Sequence, residues 1–227
     1  MQLVSWTCPL PNGGSSEELV VQFDRSRQHR VLVIPALFDE ANKLRRQTVE
    51  AMRRLDKAGI DSFLPDLPGM NESLEPQSEQ TLAGWRDATI AAAQHFGATH
   101  VLSWRGGVLL APIALPGWRY APQTGAKLLR SMLRARTISA REAGLEETIS
   151  GLENSARTDG IELAGWQLGA AMFAALESAD PQPSDLQVEI AQANIGSTGL
   201  WLRAEPDEAP PQADALVTII ATSLGAL

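Results

Sequence analysis

Between residues 30 and 111, short apolar runs alternate with amphipathic stretches, and this alternation limits the fold more than any other feature. Arg30 to Pro35 (RVLVIP) is a β-branched run of the buried-strand type. Asn42 to Ala58 follows as a helix, with Leu44, Val49, Met52 and Leu55 at roughly helical spacing and Gly59 as a stop. Ile60 to Pro65 reads as a strand, Thr81 to Phe96 as a helix closed by Gly97, and His100 to Trp104 as a third strand. Gly106 to Ala111 opens a further helix that Pro112 limits. Strands joined through helices pair in parallel, and the crossovers are right-handed. The expected architecture is α/β, a mainly parallel sheet with helices on both faces. Glu18 to Phe23 adds a strand ahead of this run, joined to it by the charged turn Asp24–His29.

The alternation breaks at Pro112. A Pro/Gly/Trp segment leads into a basic helical stretch, Gln123 to Arg141, and then an acidic one, Glu142 to Glu162. Gly165 to Leu176 is expected as a helix, Leu186 to Ala191 and Leu200 to Arg203 as strands, and Ala213 to Leu224 as a closing helix after the Pro-rich loop Glu205–Gln212. An excursion between two runs of βα units predicts one domain over residues 1–227, with a small helical cap inserted at about 115–165. The length of 227 residues suits that reading and leaves no room for a second domain.

The net charge of −8 is unevenly placed. From Glu177 onward there are eight acidic residues against Arg203 alone, whereas residues 1–176 are nearly neutral. A nucleic-acid partner is therefore not expected. One cysteine, Cys8, excludes an intrachain disulfide framework, and with no clustered Cys/His spacing neither a metal nor a cofactor is expected. Met1–Gly14 lacks a basic start and a long apolar run, so a signal peptide is not expected there, and no transmembrane segment is expected anywhere. A cytoplasmic setting follows as the default expectation.

The segment His100-Val-Leu-Ser-Trp-Arg-Gly-Gly-Val-Leu-Leu-Ala111 carries the most chemistry. A strand turns sharply into a helix, with small residues around the turn. It resembles the nucleophile elbow of the α/β-hydrolase superfamily, a G-x-S-x-G pattern. The sterically sound register puts Ser103 and Gly107 at the small positions and Arg105 in the nucleophile slot. Placing Ser103 in that slot would set Val101 and Arg105 where small residues are needed. Asp66-Leu-Pro-Gly-Met-Asn-Glu-Ser73 resembles the D-x-x-G-x-G-x-S loop of the same superfamily, with Asn71 for the second glycine.

Pro35-Ala-Leu-Phe-Asp-Glu-Ala-Asn-Lys-Leu-Arg-Arg46 occupies the oxyanion-loop region. It is similar to the P-P-F-A-E-E-x-N-K-S-R-R stretch of the hydrolase-like proteins associated with the exosortase A system. Pro35, Glu40, Asn42, Lys43, Arg45 and Arg46 match, and an elbow arginine marks the type 2 branch of that group. Trp118–Arg136 and Ile161-Glu-Leu-Ala-Gly-Trp166 also resemble that branch. The likeness spans roughly residues 18–225, patchily outside these motifs. It implies an accessory role in a surface-polysaccharide and protein-sorting system.

The superfamily order of nucleophile, acid and histidine can be checked slot by slot. The first slot holds Arg105, which stays protonated and is neither nucleophile nor base. After Leu186–Ala191 comes Gln192-Ala-Asn-Ile-Gly-Ser-Thr198, without a carboxylate. The three histidines, His29, His95 and His100, all precede the elbow. Ser-His-Asp catalysis is therefore not expected. One reading is a binding pocket for a small or acidic ligand, with Arg105 at a helix N-terminus. Leu37, Phe38, Glu40, Asn42, Gly106, Trp104 and Trp118 are its candidate ligand-binding residues. The other reading is an internal ion pair of Arg105 with Glu205, Asp207 or Glu208, or with Glu40. If catalysis survives in an unorthodox form, Arg105, Glu40 and Glu205 are the candidates, the two carboxylates to activate water.

The cap adds a further reading. From Arg119 to Arg141 there are six basic residues and no acidic one. Leu128, Leu129, Met132 and Leu133 form an apolar stripe, and Lys127, Arg130 and Arg134 share another face. That basic face either pairs with the acidic segments of the chain or docks an anionic polymer, a membrane surface or a protein partner, a second copy of the chain included.

Overall fold

The computed structural model describes residues 1–226. Seven strands form the main sheet: β1 (Gln2–Pro9), β2 (Ser15–Phe23), β3 (Arg30–Ile34), β4 (Asp61–Pro65), β5 (His100–Trp104), β6 (Gly117–Tyr120) and β9 (Gln187–Ile190), in the order β1-β2-β4-β3-β5-β6-β9. β1, β2 and β4 pair antiparallel, whereas β4, β3, β5, β6 and β9 run parallel. The interior strands are apolar on both faces. Val31, Leu32, Val33 and Ile34 are all buried, because helices cover both sides.

One face carries α1 (Asp39–Lys57) and α7 (Pro210–Ser223), whose Leu44, Met52, Leu55, Leu216 and Ile220 pack on Val31, Val33 and Leu102. The other carries α2 (Leu82–His95) and the cap elements, around Leu32, Ile34 and Val101. The cap consists of α3 (Gly125–Glu142), α4 (Ile149–Asp159), the hairpin β7 (Ile161–Leu163) and β8 (Trp166–Leu168), and α5 (Ala170–Glu177). Thr124 caps α3 through its side chain, accepting from the Lys127 N–H, and Thr148 caps α4 in the same way.

The structure adds one strand and corrects three expectations. The N-terminal segment is strand β1, whose Trp6 and Cys8 point into the core with the half-buried Val4 beside them, while the alternate side chains face solvent. Gly117–Tyr120 is a strand of the main sheet between β5 and β9, so the excursion expected from about residue 115 begins with a core strand and leaves the sheet only after it. The helix expected at Gly165 starts at Ala170. Ala164 and Gly165, both at positive φ, instead turn the two-residue β7–β8 hairpin. Leu200–Leu202 is a 3₁₀ turn rather than a strand, so β9 is the edge of the sheet. Leu200 is buried against the α1/α7 face while Leu202 points to solvent, which a single turn achieves and an alternating strand would not. Between β9 and that turn, α6 (Gln192–Ile195) is a single short helical turn.

Candidate functional site

The site lies at the C-terminal edge of the parallel strands, where β5 ends and the chain turns into the 3₁₀ stretch Arg105–Leu110. Arg105 has φ 51°, a left-handed conformation that a long side chain adopts at a cost. The turn holds because its neighbours are small. Ser103 is fully buried in β5. A Cβ on Gly107 would stand 2.2 Å from the Pro35 carbonyl oxygen, so only glycine lets the turn close against the end of β3.

The strained backbone aims the Arg105 side chain across to α1. Its Nε donates to Glu40 Oε2 at 2.9 Å and its Nη2 to Glu40 Oε1 at 3.0 Å, a two-point fork on the carboxylate. Nη1 donates to the Ala121 carbonyl at 3.0 Å, and Nη2 also donates to Gln123 Oε1. The guanidinium carbon lies 3.9 Å from the centre of the Trp201 ring, a cation–π contact. Both charged side chains are largely covered, at 12% and 13% exposed. The guanidinium is held by one helix start, the loop between β6 and α3, and one aromatic face.

Of the four carboxylates weighed as partners for Arg105, Glu40 is the one that reaches it. Glu205 is exposed, Asp207 pairs with Arg203, and Glu208 pairs with Arg46 at 2.7 Å. The other candidate residues scatter. Leu37 and Phe38 are buried in the core, and the Phe38 ring packs against Trp85 and Trp166, each at 5.7 Å. Gly106 lies within the turn, buried beside Leu37 and Leu128. Asn42 is exposed one helical position beyond the buried Ala41. Trp104 is buried edge-on to Tyr120 at 4.9 Å, with its Nε1 unpartnered. The Trp118 ring stacks on His100 at 5.5 Å, toward the start of β5 and away from Arg105.

Gln123 and Trp201 also belong to the site. In the sequence Gln123 marks only the start of a basic helical stretch. Trp201 falls in the Leu200–Arg203 run expected as a strand, and its ring reaches Arg105 because Gly199 and the 3₁₀ turn bend the chain back over the edge. No pattern of spacing could have announced either residue.

The histidines lie at the other edge of the sheet. His100 is the first residue of β5 and faces His29, with ring centres 5.8 Å apart. Burial and the neighbouring His29 hold the His100 pKa below its ordinary value. His95 ends α2 and packs on Trp6 and Phe96. After β9, where an acid would stand, Gln192 accepts a hydrogen bond from the Tyr120 hydroxyl and donates to the Gly196 carbonyl at 3.0 Å. Burial pushes the Tyr120 phenol well above its ordinary range. No group of three or more His, Cys, Asp or Glu side chains suited to a metal occurs among the described residues.

A second polar cluster lies at the end of β4 and is joined to α1 through Arg45. Asp66, at the end of β4, is buried and accepts from Arg45 Nη1 at 3.1 Å and Asn71 Nδ2 at 2.6 Å, while its Oδ2 has no partner. Glu18 accepts from Ser16 at 2.7 Å and Ser73 at 2.8 Å, and its Oε2 is likewise unpartnered. Burial raises the pKa of both carboxyls, against the opposing pull of those hydrogen bonds. Arg45, half-buried, thus ties α1 to the β4 loop.

No protein-family model and no curated protein matches the sequence. Solved structures do match over nearly the whole chain. Est1E from Butyrivibrio proteoclasticus, solved with ferulic acid, superposes with a TM-score of 0.59 at 10% identity, over 96% of this chain and 97% of that one. A proline iminopeptidase-related protein from Thermus thermophilus gives 0.56 at 15% identity, over 100% and 99%. The bottromycin epimerase BotH, in complex with bottromycin A2, gives 0.51 at 12% identity, over 99% and 98%. The fold is that of the α/β-hydrolases. At these identities the likeness concerns the backbone framework and not the chemistry at its edge. In this α/β-hydrolase fold the elbow turn carries Arg105, and among the described residues no histidine reaches that turn.

Proposed function

We propose that this α/β-hydrolase-fold chain does not use a Ser-His-Asp mechanism and instead serves as a binding or accessory protein, in the exopolysaccharide and exosortase-type setting that its motifs resemble. The observation that carries the reading is the Arg105–Glu40 fork, set where a nucleophile and an oxyanion loop would otherwise face each other. A guanidinium cannot attack a carbonyl or take up a proton, and here each of its nitrogens already has an acceptor. The bound group in this reading is a small anion, a carboxylate or acidic sugar, that competes with Glu40 for Arg105. The fold also supports non-hydrolytic work in its neighbour BotH, which is an epimerase.

Two measurements test the proposal. A panel of activated acyl esters is expected to show no turnover above that of Arg105→Ala. Turnover abolished by Arg105→Ala or Glu40→Ala would instead establish an enzyme with unorthodox residues. Titration with acidic sugars and carboxylates is expected to stabilise Glu40→Gln more than the unaltered protein, because that variant frees the guanidinium. Equal, absent or weaker stabilisation of the variant would remove the anion site.

A further inference from the structure

Helix α3 turns its apolar stripe inward, burying Leu128, Leu129, Met132 and Leu133. Its outer face is cationic. At 100° per residue, Lys127, Arg130, Arg134, Ile138 and Arg141 fall within an arc of roughly 80°. All five are exposed, Ile138 at 60%, and Leu145 just beyond the helix end is exposed at 61%. Among the described residues none of these four cations has a carboxylate within ion-pairing distance. The nearby pairs are Arg136 with Glu147 and Arg157 with Glu177. The acidic segment after α3 therefore leaves this stripe unneutralised, although Glu142 flanks its far end and Glu146 adjoins Leu145.

We propose that this face of α3 docks the chain onto an anionic lipid surface, lying flat in the headgroup layer with Ile138 and Leu145 inserted. Four unpaired cations in a chain of net charge −8 make a local field opposite to that of the whole molecule, which orients the protein face-on. The protruding aliphatic side chains favour a lipid over a nucleic acid, for they have nothing to gain from a phosphate backbone in water. Arg130 and Arg134 also wall a groove of about 300 Å³ floored by Leu129, Leu133 and Phe173, whose lining includes Glu153 and Glu177, the latter held by Arg157. No helix of the described residues is long and apolar enough to cross a membrane, so contact of this kind is peripheral.

Vesicle flotation tests the proposal. The full chain is expected to float with phosphatidylcholine vesicles containing roughly a third phosphatidylglycerol and not with phosphatidylcholine alone, and to be released by salt. Each reversal, Lys127→Glu or Arg134→Glu, is expected to weaken binding at least fivefold, about the worth of one cation near such a surface. Lys57→Glu, at an exposed position on the last turn of α1, is expected to leave it unchanged. Ile138→Ser with Leu145→Ser is expected to lower affinity further at a salt level where charge is screened. Leu145→Trp adds a direct readout, a blue-shifted emission when anionic vesicles are added. The proposal fails if the chain stays unbound at low salt, if Lys57→Glu weakens binding as much as Arg134→Glu, if Leu145→Trp shows no blue shift, or if an oligonucleotide binds the α3 face more tightly than vesicles do.

Discussion

Arg105 and Glu40 meet in a two-point fork, Nε to Oε2 at 2.9 Å and Nη2 to Oε1 at 3.0 Å, although 65 residues separate them in the chain. The pair joins the elbow after β5 to the first turn of α1. It thereby fixes the two segments that in an acyl-transfer enzyme would embrace the substrate carbonyl. Glu40 also sits in the first turn of α1, where a carboxylate is favoured by the helix dipole.

Removing one partner is costlier than removing both. Glu40→Ala is expected to destabilise the protein by about 2 kcal/mol, since it strands a mostly covered guanidinium, yet one with other acceptors and some contact with water. Glu40→Ala combined with Arg105→Ala is expected to recover part of that loss. Urea melts of the two single variants and the double variant measure the coupling, and additive losses would show that the fork is energetically idle.

Restoring an elbow serine is expected to restore nothing else. Arg105→Ser supplies a hydroxyl on the strained turn but no base, because His29 and His100 lie at the opposite strand ends and His95 ends α2. Assays with nitrophenyl esters are expected to stay at the level of the unaltered protein. A rise of a hundredfold or more would reveal a base that the geometry does not show.

Gly107→Ala is expected to be among the most damaging single-methyl changes. Its Cβ would meet backbone at 2.2 Å, and neither the elbow nor the end of β3 can retreat without breaking the sheet. A loss of about 3 kcal/mol or failure to fold is expected, read from thermal melts or soluble yield. Gly144→Ala, a glycine whose Cβ would meet nothing, is a control that tests only positive φ.

Glu18 links stability to pH with a definite sign. Its folded pKa is raised by burial, so the folded state holds this proton more tightly than the unfolded chain does. Its contribution is complete below the unfolded carboxyl range and is lost as pH rises through the raised folded value. Glu18→Gln removes that loss. The variant is expected to be more stable than the unaltered protein at neutral pH, with the difference shrinking toward zero in acid. Denaturant midpoints at several pH values measure it, and a difference that is flat with pH would refute it.

Cys8 is fully buried in β1, and burial next to Glu18 and Glu75 pushes its thiol up to about 12. Thiol reagents at neutral pH are expected to label it only at the rate of unfolding. Rapid labelling of the native protein would mean that the β1 edge opens far more readily than its packing implies.

Much of the frame was legible because it rests on local rules. The β-branched run at Arg30–Pro35, the periodic Asn42–Ala58 stretch and the glycine stops describe β3, α1 and their limits within a few residues. The parallel pairing followed from the strand–helix alternation, and the register of Ser103, Arg105 and Gly107 followed from the space around one turn. β1 also carries a local signal, since Val4, Trp6 and Cys8 alternate inward along it. β6 does not: Gly117–Tyr120 is a strand because β5 and β9 stand on either side of it, not because of its own residues.

The sequence by itself determined which charges could meet at the elbow and which could not act as bases, since side-chain chemistry is a property of each residue. Only the tertiary structure decided that Glu40, rather than the later acidic residues, takes the arginine. The exposed Glu205 and the occupied Asp207 and Glu208 lie close in sequence to a strand that never forms. The turn at Leu200–Leu202 brings an indole to the guanidinium in its place, with Leu200 buried in the apolar cluster that α1 and α7 share. Distances across a fold are set by packing of the whole chain, and no local pattern encodes them.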